Sequence, residues 1–234
     1  MFTKRPHRFR FNFAHPMMPM NNLWKEHKPT LLVGVVWLFT LSAMVGISVG
    51  YTDWFLSKTP LNMLILFGVL SLLYTLASPK LLAYTLFVFG ASILVEMHGV
   101  YYGILFGPYH YLDFLGPKIV GVPWIIGVNW VILVLSTAAV STHFIISIPL
   151  RVLTATIAMV LMDAIIEPLA PSFRFWVFDA GMPNWVNYAG WFGTALVFHS
   201  IYQALKLQGN WRVSAHVLLA QAVFFIYFNL VYGV

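Results

Sequence analysis

The sequence is expected to fold as an all-α polytopic membrane bundle. About seven transmembrane helices, an N-terminus inside and two long aromatic outer loops complete the expectation. Three observations predict it. Of 234 residues, 60% are hydrophobic and only 9% charged, with a mean hydropathy of +0.82. A soluble domain of this size has too little interior to hide that much apolar surface. The apolar runs recur at the length that crosses a bilayer core, about 20 residues. Basic residues concentrate on alternate segments between those runs, as the positive-inside rule requires.

The chain opens with a basic arm, residues 1–29, followed by a single bundle domain, residues 30–234. Lys4, Arg5, Arg8, Arg10, Lys25 and Lys28 lie ahead of the first apolar run. An isoelectric point near 9.6 would suit nucleic acid on a soluble surface. Here the charge sits beside a membrane segment, where it meets anionic headgroups and sets orientation, so no nucleic-acid partner is expected. No short apolar core with a small-residue cleavage site follows closely, so no cleavable leader is expected.

Prolines mark the boundaries of the apolar runs, at first turns or just past helix ends. They divide the chain into spans 30–50, 61–78, 80–99, 122–140, 149–167, 188–205 and 213–233. Spans two and three, split at Ser78-Pro79, are also readable as one kinked hairpin. With the N-terminus inside, ten basic residues fall inside, the arm's six plus Lys80, Arg151, Lys206 and Arg212. Only Lys58, Lys118 and Arg174 fall outside. The expectation is an integral protein of the cell (inner) membrane with a cytoplasmic N-terminus and an outward C-terminus.

The acids are distributed the opposite way. Glu26 alone is inside, whereas Asp53, Glu96, Asp113, Asp163, Glu167 and Asp179 occupy outer loops or outer helix ends. In MVLMDAIIEPLAP, Asp163 and Glu167 stand at i and i+4, one turn apart on one helical face. At 1.5 Å per residue from Pro149, Asp163 lies roughly 20 Å along its helix, the depth expected for Glu96 in SILVEMHGVYYG. Intramembrane acids cost energy and normally face a bundle interior or wet cavity. They could pair structurally with Arg174, Lys118 or His98. Three at one depth, with few bases nearby, favour a catalytic site. Two close carboxyls in a low dielectric oppose each other's ionisation, so the pair is expected to hold a proton, as acid-initiated chemistry requires.

The other polar residues say less. Glu96 and His98 are two apart and point to different helical faces, and His110, His143 and His199 fit packing better than ligation. No HxxxH, HxxHH or HExxH cluster is present, and there is no cysteine. No metal and no cofactor are expected.

Two outer loops stand out. FGPYHYLDFLGPKIVGVPW, residues 106–124, is stiffened by Pro108, Pro117 and Pro123 and rich in aromatics. PLAPSFRFWVFDAGMPNWVNYAGW, residues 168–191, repeats the sequence of aromatic cluster, Asp, Gly, Pro and helix. The first is long and rigid enough to fold back over the acids as the roof of an apolar chamber, opposed by residues 173–191. Such non-helical backbone is tolerable at depth only when covered by protein or cavity water.

Glu96 with Gly99, then FGPYHYLDFLGPKIVGVP, MDAIIEP and FWVFDAGMPNWVNYAGW occur in an order and spacing that resemble the CruF-type carotenoid 1,2-hydratases. These are grouped with the bisanhydrobacterioruberin hydratases as carotenoid biosynthesis proteins. The resemblance covers residues 94–198, and it departs from the usual pattern at Glu167, where a second Asp before the proline is commoner. It implies addition of water across the terminal C1=C2 bond of an acyclic carotenoid ψ-end, giving a tertiary alcohol. The expected partners are a lycopene-like or longer acyclic carotenoid, water, membrane lipid and other carotenoid-pathway enzymes.

The residues suit that chemistry. Protonating a trisubstituted alkene at C2 leaves a tertiary cation at C1, which aromatic faces stabilise. Asp163 is the expected proton donor, Glu167 shares its proton and Glu96 positions water. Tyr109, Tyr111, Trp176, Trp185 and Trp191 are candidate pocket walls, and Asp113 and Asp179 are candidate polar contacts. Asn187 either holds water or caps the sixth span.

Other readings remain open. A membrane lycopene-type cyclase would use the same protonation and quench the cation with a neighbouring double bond. A transporter or other membrane binder would use the acids as a proton relay. A retinal protein would need a lysine in the last span, and 213–233 has none.

Overall fold

The computed structural model describes residues 20–75 and 78–233. Lys4, Arg5, Arg8 and Arg10 of the basic arm lie outside the described residues. Eight α-helices and four short strands are present among them. Helix α1 spans Met20–Ser48, α2 Thr52–Leu56 and α3 Thr59–Leu70, which continues as a π turn, Ser71–Thr75. Then come α4 (Pro79–Tyr102), α5 (Ile125–Phe144), α6 (Ile148–Ile166), α7 (Trp185–Ala204) and α8 (Trp211–Tyr232). Strands β1 (Tyr109–Tyr111), β2 (Lys118–Ile119) and β3 (Val122–Pro123) lie between α4 and α5, and β4 (Trp176–Phe178) between α6 and α7. The protein is an all-α membrane bundle with little sheet.

Local chemistry places the helix ends near their predicted positions. Ser78 caps α4 by accepting from Leu81 N–H, Pro79 follows in the first turn, and Gly103 ends the helix at φ 65°. Glycine adopts that left-handed geometry without a Cβ clash. Asn184 and Asn210 cap α7 and α8. The first helix starts earlier than the apolar pattern suggests: α1 includes Pro29, which marks the onset of apolarity rather than of the helix.

Among the described residues, five helical segments are long and apolar enough to cross a membrane: His27–Ser48, Pro79–Tyr102, Ile125–Phe144, Ile148–Leu169 and Trp211–Tyr232. The predicted second span is a shorter helix, α3, ending in the π turn, and the sixth corresponds to α7, 20 residues long. The expected seven crossings are reached only when α3 and α7 are counted with these five.

Helix α5 forms the centre of the bundle. It packs against α3, α4, α6, α7 and α8 and is buried along nearly its whole length. A helix apolar all round belongs in a protein core or in lipid, and here its neighbours supply the core. One of its polar groups joins it to two neighbours: Thr137 Oγ1 lies 2.8 Å from His199 Nε2 on α7, and His199 Nδ1 lies 3.3 Å from Thr156 on α6. His199 is thus a packed, hydrogen-bonded histidine joining three helices. On the other flank, Trp37 Nε1 donates to His216 Nδ1 at 3.1 Å, tying α1 to α8.

Candidate active site

The two aromatic loops are joined directly. Strand β1 pairs antiparallel with β4, placing Tyr109 opposite Phe178 and Tyr111 opposite Trp176. The pairing extends at both ends: Leu112 N–H donates to Phe175 O at 2.8 Å, and Asp179 N–H to Pro108 O at 3.0 Å. Side chains alternate across a strand, so Tyr109 and Tyr111 are buried while His110 faces outward. Downstream, β2 and β3 form a tight hairpin turning through Val120 (φ 48°) and Gly121 (φ 82°).

The loop is held down by close backbone approach. A Cβ on Gly190 would lie 2.0 Å from Leu105 O, and one on Gly99 would lie 2.6 Å from the Phe106 ring. Phe106 therefore sits between α4 and α7 only because both helices present glycine there.

Beneath this roof, three carboxyls, Glu96 of α4, Asp163 of α6 and Glu167 in the 3-10 turn that continues α6, line one cavity together with Tyr109, Tyr111, Trp176, Asn187 and Trp191. Asp163 is 1% exposed, Glu96 3% and Glu167 5%, so their partners must come from the protein. Glu96 Oε2 accepts from the hydroxyls of Tyr109 (2.5 Å) and Tyr111 (2.7 Å), and Oε1 from Trp130 Nε1 (2.8 Å). Burial, and next the Glu96 charge, push both tyrosine hydroxyls well above the ordinary phenol range, so each remains a donor.

The i, i+4 pair forms a second unit. Asn187 Nδ2 donates to Asp163 Oδ2 at 2.9 Å and to Glu167 Oε1 at 3.0 Å, bridging the two with one amide. Trp176 Nε1 donates to Glu167 Oε2 at 2.9 Å. Asp163 and Glu167 also lie within hydrogen-bonding reach of each other, a contact that is bonding only when a proton lies between them. Of the six carboxyl oxygens, Asp163 Oδ1 accepts no N–H or hydroxyl hydrogen bond among the described residues. Asn187 does not cap α7; Asn184 takes that role, accepting from Val186 N–H at 2.9 Å.

Trp191 completes one wall by stacking on Trp130, ring centroids 4.2 Å apart and planes 11° from parallel. The cavity volume is about 20 Å³, room for roughly one water.

Three of the predicted site residues are elsewhere. Asp113 is exposed and ion-paired to Arg174 at 2.8 Å, and Asp179 is exposed beside His110 at 3.5 Å. Trp185 is 77% exposed at the start of α7. Two loop acids thus reinforce the roof from outside rather than reaching the cavity. Conversely, Asn129 and Trp130 of α5 and Phe106 and Phe178 of the loops belong to the site's surroundings but were not singled out in the sequence. Trp130 and Asn129 lie in an apolar run whose pattern reads as core. Asn129 makes no side-chain hydrogen bond among the described residues, leaving its amide available to the cavity.

Comparison with known proteins gives two matches. Residues 58–234 match the family model described as carotenoid biosynthesis protein. A bisanhydrobacterioruberin hydratase from Haloarcula japonica is 30% identical over 139 residues, covering 53% of this chain and 44% of that protein. The chain thus matches less than half the length of that relative. No solved structure matches.

Proposed function

Since the chain belongs to the carotenoid biosynthesis protein family, we propose that it acts on carotenoids in a membrane, as a cofactor-independent carotenoid hydratase. It adds water across the terminal C1=C2 bond of an acyclic ψ-end to give a tertiary 1-hydroxyl group. The observation that carries this reading is the buried Asp163–Glu167 pair, bridged by Asn187 and facing Glu96 in an aromatic cavity.

The hydrogen-bond pattern supports a division of roles. Asp163 Oδ1, the oxygen without an N–H or hydroxyl donor, is placed to carry the proton. Glu167 has both oxygens engaged by Asn187 and Trp176 and holds the proton's resting partner in position. Asp163 transfers its proton to C2, and the π electrons of C1=C2 form the new C–H bond. The cavity has room for about one water as it stands, so in this reading the ψ-end enters by displacing part of the aromatic lining, whose π faces then stabilise the cation left at C1. Water, held by Asn129 and Glu96, adds its oxygen to C1 and returns its proton to the Asp163–Glu167 pair. The net change is one water per end, with no redox step. A positioned acid contributes about 10²–10⁴-fold.

The test is expression in cells accumulating lycopene, followed by pigment mass analysis. A gain of one water for each modified end supports the reading. A product with unchanged mass but altered retention identifies a cyclase instead. Unmodified lycopene in the presence of folded protein refutes the hydratase for that substrate.

A further inference from the structure

A second cavity of about 470 Å³ lies between α1, the α2–α3 segment and α8. Its floor is buried and apolar, with Leu56 and Leu66 at 2–3% exposure and Ala220 at 0%. At its mouth, Leu38, Trp54 and Leu61 are exposed on the bundle flank. The chamber therefore opens sideways, where a lipid-soluble molecule would enter or leave.

It adjoins the acid cavity. Phe175 lines the chamber and its chain neighbour Trp176 lines the acid cavity, the rings being 6.1 Å apart. Two consecutive residues thus form a shared partition, and Trp176 is the one bonded to Glu167.

The chamber is not wholly hydrocarbon-like. Asn62 Oδ1, in its lining, is buried without a hydrogen-bond partner among the described residues. A buried unpaired carbonyl costs about 1–3 kcal/mol. An apolar occupant carrying one hydroxyl would satisfy it, whereas a plain hydrocarbon would not.

We propose that this chamber binds the hydroxylated end of the carotenoid product, the apolar walls holding the isoprenoid and Asn62 Oδ1 accepting from its tertiary alcohol. This rests on the hydratase reading and adds a product site to it. The wall formed by residues 38–56 lies ahead of the segment matching the family model, residues 58–234. The chamber is therefore built partly from residues outside the matched segment.

The test uses purified full-length protein carrying Asp163→Asn, in nanodiscs, so that binding is measured without turnover. Quenching of tryptophan fluorescence reports the binding of lycopene and of its monohydrated derivative. The hydroxylated carotenoid should bind about fivefold more tightly, the worth of one hydrogen bond. Adding Asn62→Leu should abolish that preference while leaving lycopene binding intact. Adding Ala43→Trp, which narrows the chamber, should weaken the hydroxylated ligand at least tenfold. Equal affinities in the parent, a preference that survives Asn62→Leu, or a chamber occupied only by phospholipid would each overturn the assignment. Absence of hydrated product from the unsubstituted protein would count against the hydratase instead, so the two failures are distinct.

Discussion

The indole of Trp130 lies flat against that of Trp191 and at the same time donates its Nε1 hydrogen to Glu96. One side chain of the central helix thereby couples an aromatic wall on α7 to a carboxylate on α4. Stacked aromatic pairs contribute about 0.5–1.5 kcal/mol beyond the area they bury. Trp130→Phe keeps most of the stack but removes the donor, and it should lower hydration about tenfold with little loss of thermal stability. Trp191→Leu should lower both, and comparing melting temperature with product yield separates the two contributions.

The three acids should not be equivalent. Asp163→Asn removes the proposed proton donor and should reduce product formation at least a hundredfold. Glu167→Gln should reduce it about tenfold to a hundredfold. Glu96→Gln should fall between full activity and the Glu167 variant. Full activity in all three, measured as hydrated pigment per folded protein, would remove the site even if the function stood.

Asn187 is the single amide between Asp163 and Glu167. Asn187→Leu leaves both carboxyls short of a donor in a buried setting, where a hydrogen bond to a charged group contributes about 1.5–3 kcal/mol. The expected outcome is a loss of about tenfold to a hundredfold in hydration. Asn184→Ala, which removes only the cap of α7, should cost about 1 kcal/mol of stability and little activity.

Tyr109 and Tyr111 give a pH signature. Their hydroxyls are held above the unfolded value of about 10 by burial and by Glu96. The folded state thus keeps protons that the unfolded chain releases, and the stability they contribute is present below pH ~10 and lost as pH rises beyond it. Thermal unfolding should show a decline above pH ~10 that is shallower in the Tyr109→Phe/Tyr111→Phe variant. An identical decline in both proteins would contradict the buried placement.

Much of the site was readable because intramembrane acids are costly and so rarely incidental. Glu96, Asp163 and Glu167 could be placed at one depth by counting residues, and the aromatic loops could be assigned to the same side by charge. What the sequence hid depended on the sheet. Pairing of β1 with β4 fixes which side chains turn inward, and it sends His110 out while burying its two tyrosine neighbours. Asp113 and Asp179 lie just beyond the strands and find partners at the surface. Trp130 was concealed differently. In a helix apolar on every side, nothing in the periodicity distinguishes a tryptophan that fills space from one that also serves a carboxylate. The helix count was uncertain for a related reason, since α3 ends in a π turn that local hydropathy does not register.

The β1–β4 pairing also bears on how the molecule assembles. Its strands are separated in the chain by the whole of α5 and α6, and contacts between distant segments form late because closing long loops costs entropy. The cover over the acids thus depends on a strand that the chain supplies only after both helices, and a chain cut short before Trp176 should leave its carboxyls more open to water.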